Sequence, residues 1–204
     1  GYTVRNRSRR DDNLRQQIAY LAARLVAEEG VTDFGFAKQK AARQAGLTEA
    51  RLLPDNREIE AALRDYQELF QSETQPDELR ALREAALVLM RQLEDFRPAL
   101  VGPVLGGTAN QFSEITLQVF ADDAKELALF LVNHRWRHED DARLSRVAHA
   151  APTPLARIRL WCGETPALLQ VYRPEDERRL ARTTAGDEPL ARARIGDLEA
   201  ILAA

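Results

Sequence analysis

The chain holds one cysteine in 204 residues. A lone thiol, Cys162, closes no internal disulfide, and that usage fits a reducing, cytoplasmic compartment. Long apolar runs are missing too. None approaches the ~20 residues that span a bilayer, so no membrane partner is expected, and no secretory leader is visible. Charge of one sign is also lacking. The formal net charge is −3, so global electrostatics do not point to nucleic acid. Histidines number three. His134 and His138, followed by Glu139-Asp-Asp141, have the i, i+4 spacing of a zinc pair. No further histidine or cysteine stands at a suitable distance to complete it, and a solvated loop is the better reading. His149 is isolated and gets no role.

What is present is ordinary for a folded domain or two: 45% hydrophobic residues for a core and 30% charged residues for solubility. Arg5, Arg7, Arg9 and Arg10 open the chain with almost no apolar content, which predicts a disordered basic arm over residues 1–10. Residues 11–97 read as a helical domain. Leu14, Ile18, Leu21 and Leu25 share one face of a first helix, which stops at Gly30. An alanine-rich helix from about Asp33 to Ala45 ends at Gly46. Asp55 and Glu58 have the spacing of a capping box, ahead of a stripe of Ile59, Ala62, Leu63, Tyr66, Leu69 and Phe70. Pro76 suits the first turn of a fourth helix, whose inner face is Leu79, Leu82, Ala86, Leu89, Leu93 and Phe96.

At Pro98 the pattern changes. Strands are expected near 99–105 and 115–120, a helix over about 123–133, a hairpin from 157–161 and 168–172, a short strand over 144–147 and a terminal helix over 197–202. The predicted class is α+β: an N-terminal helical bundle, then over 98–204 a small mixed sheet with helices on one face.

The most informative stretch is Val101-Gly-Pro-Val-Leu-Gly-Gly-Thr-Ala-Asn-Gln-Phe-Ser-Glu-Ile-Thr-Leu-Gln-Val-Phe120. An apolar run enters a glycine-punctuated loop, and a second apolar run opens with Ser113-Glu114. This resembles the signature of the nucleotidyltransferase superfamily: apolar, Gly-Ser, three residues, Gly-Thr or Gly-Ser, a short polar loop, then Ser-Asp-apolar-Asp-apolar. The whole chain also looks like bacterial proteins of unknown role that are predicted nucleotidyltransferases. The resemblance implies that Gly102, Gly106, Gly107, Thr108 and Ser113 hold a nucleoside triphosphate, with magnesium on acids at the Glu114 and Thr116 positions and a third on the following strand, where Gln170 is best placed. Two acids at i and i+2 on a strand face one way and can hold one metal pair. Here the pattern is degraded. Pro103 stands where the family has serine, Thr116 and Gln170 are neutral, and Glu114 is the one anionic candidate left and the one candidate catalytic residue.

The expected function is therefore a nucleotidyltransferase-like pseudoenzyme that binds a nucleotide or a protein partner. One alternative is an active magnesium-dependent transferase with a reduced metal site. The other is a helical module that binds proteins or nucleic acid. For the last, Ala42-Arg-Gln-Ala-Gly-Leu-Thr48 resembles the turn of a helix-turn-helix, yet Leu52-Leu-Pro54 cuts off the helix that would read the groove. Glu58, Glu60, Asp65 and Glu68 would repel phosphates from the next one. Cys162 has no local base and reads as a small apolar filler; Trp136 and Trp161 read as packing residues.

Overall fold

The structure, a computed structural model, describes residues 2–47, 49–140, 152–182, 184–185, 188–189 and 191–204. The strand expected over 144–147, His149 and Thr48 of the helix-turn-helix resemblance lie outside the described residues. The chain forms two compact units, Gly1–Asp77 with Asn110–Phe112, and Glu78–Ala109 with Ser113–Ala204.

In the first unit α1 (Tyr2–Glu29), α2 (Phe34–Gln44) and α3 (Asn56–Phe70) pack around Ile18, Ala22, Ala23, Leu25, Val26, Ala37, Ala41, Ile59 and Leu63. Alanine at the α1 and α2 contact positions lets the two backbones approach closely. Gly30, at φ +72°, ends α1. Asp33 caps α2 by accepting from the amides of Gly35 (2.7 Å) and Phe36 (3.3 Å). Asp55 caps α3 through the Glu58 amide at 2.9 Å. The expected capping box is only half made, because the Glu58 carboxylate accepts from Arg15 at 2.5 and 2.8 Å instead.

Two expectations are corrected here. Residues 2–10 are not a disordered arm but the start of α1. Arginine is a good helix former, and extending a helix already anchored by Ile18–Val26 costs far less than starting one. Leu69 and Phe70 leave the α3 stripe and are exposed. The packed face ends at Tyr66, and the Phe70 ring rests on the Tyr66 ring at 4.8 Å.

Tyr66 is itself buried, and its hydroxyl donates to Glu28 Oε1 at 2.7 Å. Burial first, and the bond to Glu28 second, push its pKa up to about 12. The folded state thus holds a proton that the unfolded chain releases near pH 10. This stabilisation is complete below pH 10 and is lost as pH rises toward 12, amounting to about 2–3 kcal/mol. Tyr66→Phe is expected to cost about 1.5–3 kcal/mol at pH 7 and to show a shallower loss of stability above pH 10. Urea titrations between pH 8 and 11 check this; parallel curves for the two proteins would refute it.

The second unit carries a five-stranded sheet of β1 (Ala99–Val101), β2 (Ile115–Phe120), β3 (His138–Asp140), β4 (Ala156–Cys162) and β5 (Thr165–Tyr172), in the order β1-β2-β5-β4-β3. Only β2 and β5 run parallel. Helices α4 (Gln75–Gln92), α5 (Pro103–Gly106), α6 (Ala124–Asn133), α7 (Glu177–Ala181) and α8 (Ile195–Ala203) accompany it, and a separate pair joins β6 (Thr184–Ala185) to β7 (Glu188–Pro189). One face is dry. Leu100, Ile115, Leu117, Val119, Ile158, Leu160, Ala167, Leu169 and Val171 share a core with Leu82, Leu89, Met90 and Leu93 of α4, Leu127 and Leu131 of α6, and Leu198 of α8. Helices α4, α6 and α8 thus lie on that one face, the layout expected.

The unit boundary is not where the sequence placed it. The fourth helix was expected in a helical domain ending at 97, yet its apolar stripe packs on the sheet, and the first unit ends at Asp77. An apolar stripe specifies that a helix is covered, not by what. Among the described residues no helix is long and apolar enough to cross a membrane.

Candidate functional site

The strand expected over 99–105 stops at Val101 because Gly102 turns the chain. Its φ of +77° with ψ of −160° belongs to a region open essentially to glycine alone. A Cβ there would meet Thr116 only at 3.7 Å, an ordinary contact. The backbone angle, not crowding, therefore demands glycine. Pro103 follows as the first residue of the one-turn α5, where its missing N–H costs nothing. Gly107, at φ +103°, closes that turn, its amide donating to the Pro103 carbonyl at 2.9 Å. The Gly106 amide donates to the Gly102 carbonyl at the same distance. Gly102 and Gly106 are exposed, whereas Thr108 is buried, away from any ligand at the turn's surface.

One residue that sequence reasoning missed holds this turn. Arg83 of α4 donates from Nε to the Val104 carbonyl and from Nη2 to the Leu105 carbonyl, both at 2.8 Å. Partial burial lowers its pKa. Arg83 sits beside Leu82 in an amphipathic helix, and no local pattern reveals a partner two elements away.

The second face of the sheet is polar. Directly paired residues share a face. Register therefore sets Thr116 beside Leu168 and Arg159, and Gln118 beside Gln170 and Arg157, with Glu139 opposite Arg159. Glu114 precedes β2 by one residue, and its carboxylate accepts from Arg159 Nε at 3.3 Å. Alternation and this contact put it on the polar face. Glu114, Thr116 and Gln170 thus share a face, and Ser113 is half-buried next to Glu114. Gln170 is opposite Gln118 rather than Thr116; the residue opposite Thr116 is Leu168.

Ala193 pairs with Leu100 at the free edge of β1. Its neighbours add two more arginines to the polar side. Arg192 Nε donates to Gln118 Oε1 at 2.7 Å, and its Nη2 is buried with no acceptor. The Arg194 guanidinium is 5.9 Å from the Phe120 ring centre. Phe120 and Tyr172 pack with Leu180 of α7 and close that end of the face. Burial lowers the pKa of both Arg192 and Arg194. With Arg157 and Arg159, guanidinium groups outnumber the carboxylates Glu114, Glu139 and Glu177.

These residues do not fit magnesium, which needs convergent carboxylate oxygens. The Glu114 carboxylate is engaged by Arg159. Among the described residues no three His, Cys, Asp or Glu side chains are grouped so as to hold a metal. The histidine pair is split between elements: His134 ends α6 with Nδ1 at 2.8 Å from the Phe130 carbonyl, and His138 begins β3 with Nδ1 at 2.9 Å from the Trp136 carbonyl. Cys162 ends β4 at the Gly163-Glu164 turn, and burial raises its pKa, the opposite of what a nucleophile needs. Arg137 lies over the Trp161 ring at 4.2 Å, while Trp136 packs against the core. The helix-turn-helix resemblance lacks a reading helix: after Gly46 the chain makes only a 3-10 turn, Ala50–Leu52.

The fold places the chain in the α+β class. In comparisons with protein families, with curated proteins and with solved structures, nothing matches it.

Proposed function

We propose that the chain is a nucleotidyltransferase-like protein that binds a nucleotide without magnesium and without transferring it. Its phosphates sit beside the Gly102–Gly107 turn against the arginines of the polar sheet face. The observation that carries this reading is the Arg159–Glu114 ion pair. A guanidinium occupies the side of the one acid at the motif positions, where transfer chemistry would need a cation between several acids. Arg157, beside Gln170, adds a second guanidinium close by. Fixed positive charge serves a triphosphate directly, as bidentate arginine contacts to phosphate do elsewhere.

Glu114→Gln separates this reading from the active-transferase alternative by sign. Removing a carboxylate from a metal-free anion site strengthens binding, by about 1 kcal/mol or roughly fivefold at this half-exposed position. Removing the last acid of a magnesium site abolishes binding. Calorimetry with each nucleoside triphosphate, in EDTA and in magnesium, is the measurement. Expected are binding in EDTA, tighter binding by Glu114→Gln and weaker binding by Arg157→Gln. A magnesium requirement, or loss of binding in Glu114→Gln, overturns the proposal. No binding of any nucleotide leaves the helical interaction module as the function.

A further inference from the structure

The first three turns of α1 carry a cationic strip that pairs with no carboxylate among the described residues. Residues 4–10 are exposed all round the helix, and among the described residues no ion pair joins Arg5, Arg7, Arg9 or Arg10 to a carboxylate. At about 100° per residue, Arg5, Arg9, Asn13, Asn6, Gln17 and Arg10 fall within an arc of about 140°. Among the described residues Ile18 is the first buried one of α1, so the arginines precede the part of the helix that packs in the helical unit. Asp11 is off the arc and turned to Arg51 at 3.5 Å, and Asp12 borders it. Arg5 and Arg9, four apart, repel each other, as do Arg7 and Arg10; each such pair costs a few tenths, about 0.2–0.5 kcal/mol.

We propose that this strip docks on duplex DNA, with α1 lying in the major groove. The charge complementarity is direct: three guanidiniums, Arg5, Arg9 and Arg10, face outward on that arc, with no carboxylate partner among the described residues, and each can neutralise one phosphate, while Arg7 is exposed on the other side of the helix. Interleaved Asn6, Asn13 and Gln17 supply the paired donors and acceptors that read base edges, as arginine does. A bare helix of about 10–12 Å fits a groove of about 12 Å. A membrane surface suits the strip less well, because interfacial helices need a broad apolar face and residues 5–13 contain no large apolar side chain. The whole-chain charge of −3 does not oppose this, since duplex contact depends on local charge. The 3-10 turn after Gly46 plays no part in it.

The test is fluorescence anisotropy of the full chain with a mixed-sequence DNA duplex at several salt concentrations. With about three phosphates contacted, log K should fall with log salt at a slope near −2.7, which is roughly a fortyfold loss between 50 and 200 mM. The quadruple variant Arg5→Gln, Arg7→Gln, Arg9→Gln, Arg10→Gln should bind at least a hundredfold more weakly at 50 mM, with a nearly flat slope. These side chains touch no core residue, so circular dichroism should report an intact fold. The triple variant Asn6→Ala, Asn13→Ala, Gln17→Ala should keep the salt slope and lose any preference among duplexes. No duplex binding at 50 mM, or an unchanged slope in the quadruple variant, overturns the proposal. So does tighter binding to an RNA duplex, whose deep groove excludes a helix. Binding to phosphatidylserine vesicles in place of DNA would make the strip a membrane contact and overturn it equally.

Discussion

Leu117→Ala is expected to destabilise the sheet unit by about 2–5 kcal/mol, while Thr116→Val, one residue away, removes at most one hydroxyl hydrogen bond and should change stability by less than about 1.5 kcal/mol. Leu117 is fully buried in the middle of β2, between Leu100 and Leu169, and faces the helices. Truncation removes its transfer energy and leaves a cavity that a strand paired on both edges cannot collapse around. Thr116 is half-buried on the opposite face. Side chains alternate with a period of two, so a slip of one residue in register would exchange the two outcomes. Urea unfolding of both variants decides the matter. The consequence reaches the candidate site, because Glu114, Thr116 and Gln170 can face one ligand only if Leu117 and Leu169 face the core. Equal costs at the two positions would mean that this face assignment is wrong.

Glu177→Gln should cost about 1.5–3 kcal/mol. Only 17% of its side chain is exposed, and it pairs with Arg97 at 2.9 Å and with Arg194. Arg97 is held at φ +50°, and Arg194 also donates to the carbonyls of Arg97 and Pro98. Deleting the anion leaves two guanidiniums facing each other, and uncompensated charge in a buried pair costs about 3–5 kcal/mol. The smaller figure follows from the exposure of Arg97 (62%) and Arg194 (38%). Two signatures distinguish this cause from lost packing. The deficit should shrink between 0.05 and 0.5 M salt, as screening weakens the repulsion. Adding Arg97→Gln should restore part of the loss in a double-mutant cycle. A deficit that ignores salt and is not rescued would assign Glu177 a packing role instead.

The helices were legible wherever a stripe and a stop signal coincided. Gly30, Asp33, Asp55 and Asp123 mark ends that the structure places within a residue or two, because capping is settled by atoms close in sequence. β2 spans 115–120 as the alternation predicts. The single turn of α5 was read as strand, since apolar Val104 and Leu105 fit either state and four residues are too few to show a period. The strand His138–Asp140 escaped notice for a like reason: it is polar, short and at the sheet edge, and is held by pairing with β4 rather than by its own composition.

The site was legible as a glycine turn followed by a strand, and only in outline. The sequence did say that Glu114 is the one acid in that stretch. It said nothing of the guanidiniums on the polar face, because Arg157, Arg159, Arg192 and Arg194 come from a separate strand and from the segment that pairs with β1. By itself, the sequence determined the class of fold, the placement of the main helices, the need for glycine at a turn and the presence of a single acid, Glu114, between that turn and the end of the strand after it. These are properties of single segments, where neighbouring residues compete for one backbone conformation. Tertiary structure decided which apolar stripe covers which surface, which carboxylate meets which guanidinium, and that Arg83 fastens a turn it never meets in the chain. Those outcomes depend on distances between segments, and segment chemistry leaves such distances open until the strands are registered and the helices are laid on them.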